Sequence, residues 1–207
     1  MRSLLIEPQY LPCIEYFAVI DSVEKVVLEC HENYLKQTYR NRCRIMTAQG
    51  PFELYLPVLQ PGGKIKMKDV KIDHGQKWVK DHWRTINAAY GNAPFFEHFG
   101  FLFEEVFHKK FDFLLDLNIE LLMLCRKLLD INIPFEQTSC YLSKTGADMV
   151  DWRSKIHPKK ALENNPFYKP CNYNQIFGKK FVGNLSIIDL LFCEGVSARQ
   201  VLDYSKP

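Results

Sequence analysis

Three arginines stand at alternate positions in the segment TYRNRCRIMT, residues 38–47. In an extended strand, alternate side chains point to the same face, so Arg40, Arg42 and Arg44 would lie side by side. A guanidinium group binds a carboxylate or a phosphate through two parallel hydrogen bonds. The spacing therefore predicts a strand that binds an anionic substrate group through Arg40 and Arg42. A helix would bring only Arg40 and Arg44 to one face.

The side chains between these arginines complete the predicted binding site. Tyr39 and Asn41 offer neutral hydrogen-bond donors to a substrate hydroxyl or to a developing oxyanion. Cationic neighbours favour the thiolate of Cys43, but on a strand this thiol faces away from them, which argues against a nucleophile. The competing interpretation is an exposed strand face, or arginines that form ion pairs with nearby acids such as Glu29 and Glu32.

His82 is the predicted catalytic base. The segment KWVKDHWRTINAAYG has helical periodicity, which puts His82 within one turn of Trp78 and Ile86. An unperturbed imidazole titrates near about pH 6.5, so it can accept a proton at neutral pH. The alternative is a half-buried structural histidine whose ring is satisfied by a carbonyl oxygen.

Two further polar segments are predicted to contact substrate. Asp151 and Arg153 lie in DMVDWRSKIHPKK, a charged segment without regular periodicity, and such segments often belong to sites. We expect Asp151 and Arg153 to position the substrate, with Asp151 as the second catalytic residue beside His82, unless Asp151 and Arg153 merely form a local ion pair. Gln9 and Tyr10 follow the first predicted strand, at the place where α/β proteins bind ligands.

Composition indicates a globular chain and argues against several function classes. The 207 residues are 47% hydrophobic and 25% charged, with a formal net charge of only +3, which is typical of a globular protein rather than of a nucleic-acid binder. The lysines of residues 64–71 keep nucleic-acid binding as a third hypothesis. Seven scattered cysteines without a CxxC pair predict neither a disulfide framework nor a metal site.

Several familiar motifs are missing from the sequence. It has no GxGxxG and no GxxxxGK[ST], so no cofactor is predicted. Its first residues lack the apolar run of a signal peptide, and charges interrupt the most apolar stretch, residues 111–131. We therefore expect a cytoplasmic protein that does not insert into a membrane.

The order of the elements predicts an α/β fold. The opening LLIEPQY…KVVLEC has the pattern strand, loop, helix, strand, which begins a layered fold with a parallel sheet. The tail NLSIIDLLFCEGVSARQVL predicts two short helices divided at Glu194–Gly195, the first capped by Asn184 or Ser186. Further strands are predicted over 52–58 and 135–142, and helices over 76–91, 94–110 and 111–131.

These elements predict one domain over residues 1–207. Its α/β part covers about 1–75 and the strand near 135–142, and its helical part covers about 76–134 and 173–204. The expected architecture is a layered N-terminal sheet with a helix-rich C-terminal half packed on it.

Five segments of the sequence together are distinctive. They are EPQYLP…EYF (7–17), YRNR (39–42), HWRTINAAYGNAPFFEHF (82–99), DWR…IHPK (151–159) and NLSIIDLLF (184–192). Together they resemble the WbqC-like protein family, which is associated with bacterial O-antigen and other surface-polysaccharide gene clusters. The resemblance runs nearly end to end. One departure is Glu15, where the family pattern has Gly before Tyr-Phe; another is ECHENY, where it has an Asp-Asp pair after the second strand.

A looser resemblance concerns the fold alone. The N-terminal plan is similar to that of nucleotidylyltransferase-like, Rossmann-like α/β domains, but IEYF stands where those domains have their HxGH phosphate signature. The likeness therefore supports a Rossmann-like sheet and no adenylation activity.

The family resemblance implies a transferase of surface-polysaccharide biosynthesis. Such an enzyme would transfer an acyl or aminoacyl, glycine-like group to a nucleotide-linked amino sugar. The expected partners are a nucleotide sugar and an activated acyl substrate, with no nucleic acid and with the oligomeric state left open. The alternative is a non-catalytic protein of the same pathway that binds a nucleotide sugar or a partner enzyme.

Overall fold

Six strands and six α-helices lie within residues 3–59, 63–159, 167–178 and 180–206, which the computed structural model describes. Short 3₁₀ turns at Met67–Asp69 and Gly195–Ser197 supplement them. In chain order the elements are β1 (Ser3–Ile6), α1 (Ile14–Ile20), β2 (Lys25–Leu28), β3 (Arg42–Thr47), β4 (Gly50–Tyr55), α2 (Trp78–Tyr90), α3 (Phe96–His108), α4 (Leu114–Leu128), β5 (Phe135–Gln137), β6 (Met149–Asp151), α5 (Ile187–Glu194) and α6 (Ala198–Tyr204).

Four of the strands form a parallel sheet in the order β5-β2-β1-β6. Strand β1 pairs with β2 from Ser3 opposite Lys25 to Ile6 opposite Leu28. The apolar residues of β1 and β2 are buried, as is usual for parallel sheets covered on both faces. Because the strands run in one direction, their carboxyl ends lie along one edge of the sheet. The parallel sheet predicted near the N-terminus is thereby confirmed.

Strands β3 and β4 form a separate antiparallel hairpin. Alternation along β3 buries Cys43 and Ile45 and leaves Arg42 and Arg44 on the more accessible face. The predicted common face of three arginines is wrong, because the strand begins at Arg42. Arg40 precedes the strand in a turn and is 1% exposed, so its guanidinium group enters the protein interior.

The helical half packs around an aromatic cluster. The ring of Phe192 in α5 lies 5.0 Å from that of Phe96 and 5.4 Å from that of Phe103, both in α3. Gly195 separates α5 from α6 with φ +57°, and a Cβ atom there would meet the ring of Phe95 at 2.2 Å. The predicted division of the tail at Glu194–Gly195 is confirmed, because only glycine fits this close approach.

Helices occupy the predicted positions, and one strand does not follow from the sequence. The helical segments predicted before residue 131 correspond to α2, α3 and α4. Strand β6 has only three half-buried residues, which is too short for an alternating pattern to be recognised. Within the described parts of the chain, no helix is both long and apolar enough to traverse a bilayer.

Asn184 caps α1 and not, as predicted, α5. Its Oδ1 accepts a hydrogen bond from the backbone N–H of Glu15 at 2.9 Å, and its Nδ2 donates to Glu15 Oε2 at 2.7 Å. Ser186 precedes α5, but its hydroxyl donates to the carbonyl oxygen of Leu11 at 2.8 Å. Both side chains therefore fasten the C-terminal segment to the loop and helix that follow β1.

Two substitutions should separate the contributions of Asn184 to stability. Asn184→Gly removes the cap of α1, which should lower the free energy of unfolding by about 1 kcal/mol. Asn184→Ala removes the same cap and keeps a Cβ atom at φ +56° without the local hydrogen bonds that let asparagine adopt this region, which should lower the free energy of unfolding by about 1 kcal/mol more. Urea unfolding of both variants measures the difference. An unchanged Gly variant would show that the cap adds no stability.

Candidate functional site

Charged side chains follow the parallel strands at their carboxyl ends. Glu7 directly follows β1, Glu29 directly follows β2, and Arg153 lies two residues beyond β6. Ligands of parallel α/β sheets bind outside these ends, so this edge is the candidate functional site. We call its charged residues the strand-end cluster: Glu7, Glu29, Glu32, Arg40, Asp151 and Arg153.

Arg40 lies at the centre of the strand-end cluster, with its side chain 1% exposed. Its Nε and Nη2 atoms lie 2.7 Å and 2.6 Å from Glu32 Oε1, and its Nη1 lies 3.8 Å from Glu7 Oε1. Nη2 also donates to the hydroxyl of Ser154 at 3.0 Å. One buried guanidinium group therefore joins the segments that follow β1, β2 and β6.

Ser154 has a strained backbone at the same place. Its φ of +56° is in the left-handed region, which serine seldom adopts. Its N–H donates to Glu7 Oε2 at 2.9 Å while its hydroxyl accepts from Arg40. Residues held in unfavourable backbone conformations by surrounding bonds cluster at functional sites, which supports this edge as the site.

Arg153 organises the other half of the cluster. Its Nε donates to Asp151 Oδ1 at 3.0 Å and its Nη2 to Asp151 Oδ2 at 2.6 Å. Its Nη1 donates to Glu29 Oε2 at 3.2 Å and to the carbonyl oxygen of Leu142 at 2.7 Å. Hydrogen bonds from Arg153 lower the pKa of Asp151, so this carboxylate is ionised and orients Arg153. The local ion pair between Asp151 and Arg153, predicted as the alternative to a substrate contact, is thus present.

Carboxyl groups outnumber guanidinium groups in the strand-end cluster by four to two. Burial raises the pKa of Glu32 to about 7; the Arg40 guanidinium opposes this, and the nearby carboxylates of Glu7 and Glu29 reinforce it. A group that titrates near neutral pH can take up and release a proton efficiently. Glu32 therefore has the acidity expected of a general base.

Three buried amide oxygens add to the excess of acceptors. Within the described residues, Gln9 Oε1, Asn41 Oδ1 and Asn118 Oδ1 have no hydrogen-bond donor. The Nδ2 of Asn118 donates to the carbonyl oxygen of Arg40 at 2.7 Å, and the Nε2 of Gln9 donates to Glu7 Oε1 at 2.9 Å. Because a buried acceptor without a donor is destabilising, a ligand that brings N–H groups would be favoured here.

His82 has both ring nitrogens occupied. Its Nε2 lies 3.1 Å from the carbonyl oxygen of Tyr55, which can only accept, so Nε2 carries the proton. Its Nδ1 then accepts from the hydroxyl of Tyr10 at 2.8 Å. Burial lowers the pKa of His82 to about 4. At neutral pH this side chain is an uncharged histidine bonded to a carbonyl, and base catalysis would require one of these bonds to open.

The loop after β1 contacts the residues before β3. The N–H of Tyr10 donates to the carbonyl oxygen of Tyr39 at 2.9 Å, and Asn41 Nδ2 donates to the carbonyl oxygen of Leu56 at 2.9 Å. The structure therefore brings two separately predicted segments together, one with Gln9 and Tyr10 and the other with Tyr39 to Asn41.

Arg42 and Cys43 lie on the hairpin, outside the strand-end cluster. The side chain of Arg42 is 17% exposed and pairs with Glu53 at 3.0 Å. The thiol of Cys43 is buried, which raises its pKa strongly; the thiolate that a nucleophile needs is therefore disfavoured. The structure thus separates Arg42 from Arg40.

From the sequence, Glu32 was expected only as an ion-pair partner of an arginine, and its 2.6 Å contact with Arg40 confirms that interpretation. The acidic segment ECHENY after β2 was the signal that could have marked Glu32 as a site residue in its own right. Asn118 lies in the middle of α4 and Ser154 in an irregular segment, so their contacts with Arg40 have no local sequence signal.

Comparison with known proteins places the chain in a family. The model of the WbqC-like protein family matches residues 7–164, a range that contains the whole strand-end cluster. The chain belongs to the WbqC-like protein family. It is 33% identical over 97 residues to the uncharacterized protein Rv1507c of Mycobacterium tuberculosis (strain ATCC 25618 / H37Rv). That match covers 46% of this chain and 41% of the relative, and no solved structure matches the chain.

Arg40 should contribute far more to the stability of this WbqC-like protein than Arg42 does. Arg40→Met leaves the buried carboxyl groups of Glu7 and Glu32 without their cation, which should lower the free energy of unfolding by about 3–5 kcal/mol. The matched variant Arg42→Met breaks a pair with the half-exposed Glu53, so its loss should stay below about 1 kcal/mol. Urea unfolding measures both, and equal losses would contradict the central position of Arg40.

The imidazole of His82 should remain neutral throughout the physiological pH range. The Cε1–H signal of His82 can be assigned by its absence from the NMR spectrum of His82→Gln. In a titration of the wild type, this signal should not shift until the pH approaches the His82 pKa of about 4. Because the folded pKa lies below the unfolded value near 6.5, His82 adds stability above pH 6.5 and loses it as the pH falls towards 4, by about 3 kcal/mol in total. A titration midpoint near 6.5 would contradict the two hydrogen bonds.

Proposed function

We propose that this WbqC-like protein transfers an acyl or aminoacyl group to the amine of a nucleotide-linked amino sugar in bacterial surface-polysaccharide (O-antigen) biosynthesis. The observation that carries the proposal is the excess of buried carboxyl groups in the strand-end cluster, one of which, Glu32, has a pKa of about 7. The excess favours a cationic ammonium group as ligand. The unpaired amide oxygens of Gln9, Asn41 and Asn118 favour the N–H groups of such an ammonium ligand as well.

The chemistry requires an uncharged amine. Glu32 accepts a proton from the sugar ammonium, and the free amine nitrogen then attacks the carbonyl carbon of an activated acyl donor. A carbon–nitrogen bond forms and the bond from carbon to the leaving group breaks. The leaving group departs with its electron pair and takes up the second proton that the nitrogen loses as the amide forms. A base whose pKa lies near the working pH is the most effective for such a transfer.

The topology of the sheet supports a Rossmann-like layout for this site. The chain passes from β1 to β2 to β5 on one side and then to β6 on the other side of β1. In such sheets ligands bind where the strand order reverses. Here this point lies between β1 and β6, where Glu7 accepts a hydrogen bond from the backbone of Ser154.

The other predicted residues take supporting roles in this proposal. Arg153, oriented by Asp151, positions the sugar at the strand ends. Arg42 binds the diphosphate by exchanging its contact with the half-exposed Glu53 for a phosphate. His82 holds Tyr10 in place beside the site and leaves the role of base to Glu32.

A non-catalytic binding protein is the second candidate function. This candidate is favoured because protein groups already bind the side chains of Arg40, Arg153 and His82. These side chains then stabilise the site and are not free to act on a substrate. This candidate shares the amino-sugar ligand, and it differs by the absence of turnover.

Ligand binding can be tested by thermal unfolding with a UDP-linked amino sugar and the matching UDP-linked hydroxy sugar. At about 100 times its dissociation constant, the amino sugar should stabilise the wild type by about 2.7 kcal/mol, and the hydroxy sugar should stabilise it much less. Glu32→Gln should weaken amino-sugar binding at least tenfold, while the control Glu97→Gln, at an exposed position of α3, should not. Equal stabilisation by the two sugars would overturn the assignment of the ammonium site.

Turnover distinguishes the two candidate functions. With coenzyme A thioesters and aminoacyl donors, mass spectrometry should detect an amide of the sugar, and Glu32→Gln should slow its formation by about 10²–10⁴-fold. Since the base must be ionised, kcat/KM should rise with pH and level off above the Glu32 pKa of about 7. Binding without any amide product would favour the non-catalytic alternative.

A further inference from the structure

A pocket separate from the strand-end cluster lies on the outer side of the first two turns of α2. Its volume is about 620 Å³, and none of its lining residues belongs to the strand-end cluster. Apolar surface from Trp78, Val79 and Trp83 forms much of its wall. This volume falls within the range of small-molecule sites, roughly 300–1,000 Å³, so the pocket is large enough for an organic ligand.

The charged groups at this pocket are cationic. Lys77, Lys80 and Arg84 line it, and none of the described residues at its wall carries a carboxylate. Asp81 reaches Arg84 only at 3.6 Å, and both side chains are more than half exposed, so that contact neutralises little of the charge. The apolar wall with a cationic rim is complementary to an amphipathic anion.

Trp78, which lines the pocket, carries an unpaired donor. Trp78 is 6% exposed, and among the described residues its indole N–H has no hydrogen-bond acceptor. Its ring is held in place by the rings of His82 at 5.6 Å and Phe107 at 6.2 Å. A ligand oxygen that accepted this N–H would remove the unfavourable burial of an unsatisfied donor.

We propose that this pocket binds a small organic anion with an apolar body, whose acidic group lies among Lys77, Lys80 and Arg84 and whose body packs on Trp78 and Trp83. The ligand class comprises aliphatic and aromatic carboxylates, sulfonates and phosphate esters. This site is independent of the strand-end cluster and of the transferase proposal, because the two share no residue.

Binding can be measured with decanoate as the probe and tryptophan fluorescence as the signal. Two of the three tryptophans of the chain, Trp78 and Trp83, line the pocket, so occupancy should change the emission directly. Decanoate should bind at least tenfold more tightly than decylammonium or decanol of the same length. Equal binding of the three would overturn the proposal, because the cationic rim would then have no role.

Variants separate this pocket from non-specific apolar binding. The double variant Lys80→Glu/Arg84→Glu reverses the rim on the exposed face of α2 and should weaken decanoate binding at least tenfold. The matched control Lys68→Glu/Lys127→Glu changes two exposed lysines elsewhere by the same total charge and should leave the affinity within about twofold.

A filled pocket gives a second test that does not depend on charge. Val79→Trp places a large side chain at the pocket wall and should abolish the decanoate signal, with circular dichroism confirming that α2 is retained. Undiminished binding in either Val79→Trp or the rim variant would show that decanoate binds elsewhere and would overturn the assignment.

Discussion

The buried guanidinium group of Arg40 is the interaction on which the rest of the site depends. It contacts Glu32 and the hydroxyl of Ser154 directly and lies near Glu7, and these residues follow three different strands of the sheet. A charge so deeply buried is tolerated only when it is paired and hydrogen-bonded. The requirement to satisfy Arg40 therefore fixes the relative positions of three loops, together with the hydrogen bonds from Ser154 to Glu7 and from Arg153 to Glu29.

Burial shifts the pKa values of Glu32 and His82 in opposite directions. It raises the pKa of Glu32 to about 7 and lowers that of His82 to about 4, because a low-dielectric surrounding disfavours the charged form of each. The pKa of the carboxyl group is thereby raised to near neutral pH, and the pKa of the imidazole is lowered away from neutral pH. An acid thus becomes the better base, which is the reverse of what ordinary side-chain acidities predict.

Helix α2 connects the two sites described in this protein. His82 lies on its buried face, where it bonds to Tyr10 in the loop after β1, and Lys80 and Arg84, four residues apart, lie on its exposed face. The helical repeat separates these faces. Trp78 belongs to both surroundings, since it lines the outer pocket and contacts the His82 ring.

The sequence by itself determined the α/β class, the parallel start of the sheet, the helices and the break at Gly195, because these depend on local apolar periodicity and on a position where only glycine fits. It also marked Arg40, Arg153 and Gln9 as candidate substrate-binding residues, but only Gln9 for its position directly after a predicted strand. Only the tertiary structure decided that Arg40 is buried while Arg42 is on the hairpin, and that Asn184 caps α1. Those outcomes depend on contacts between residues distant in sequence, such as Arg40 with Ser154, and no local pattern records which charge will be desolvated by which partner.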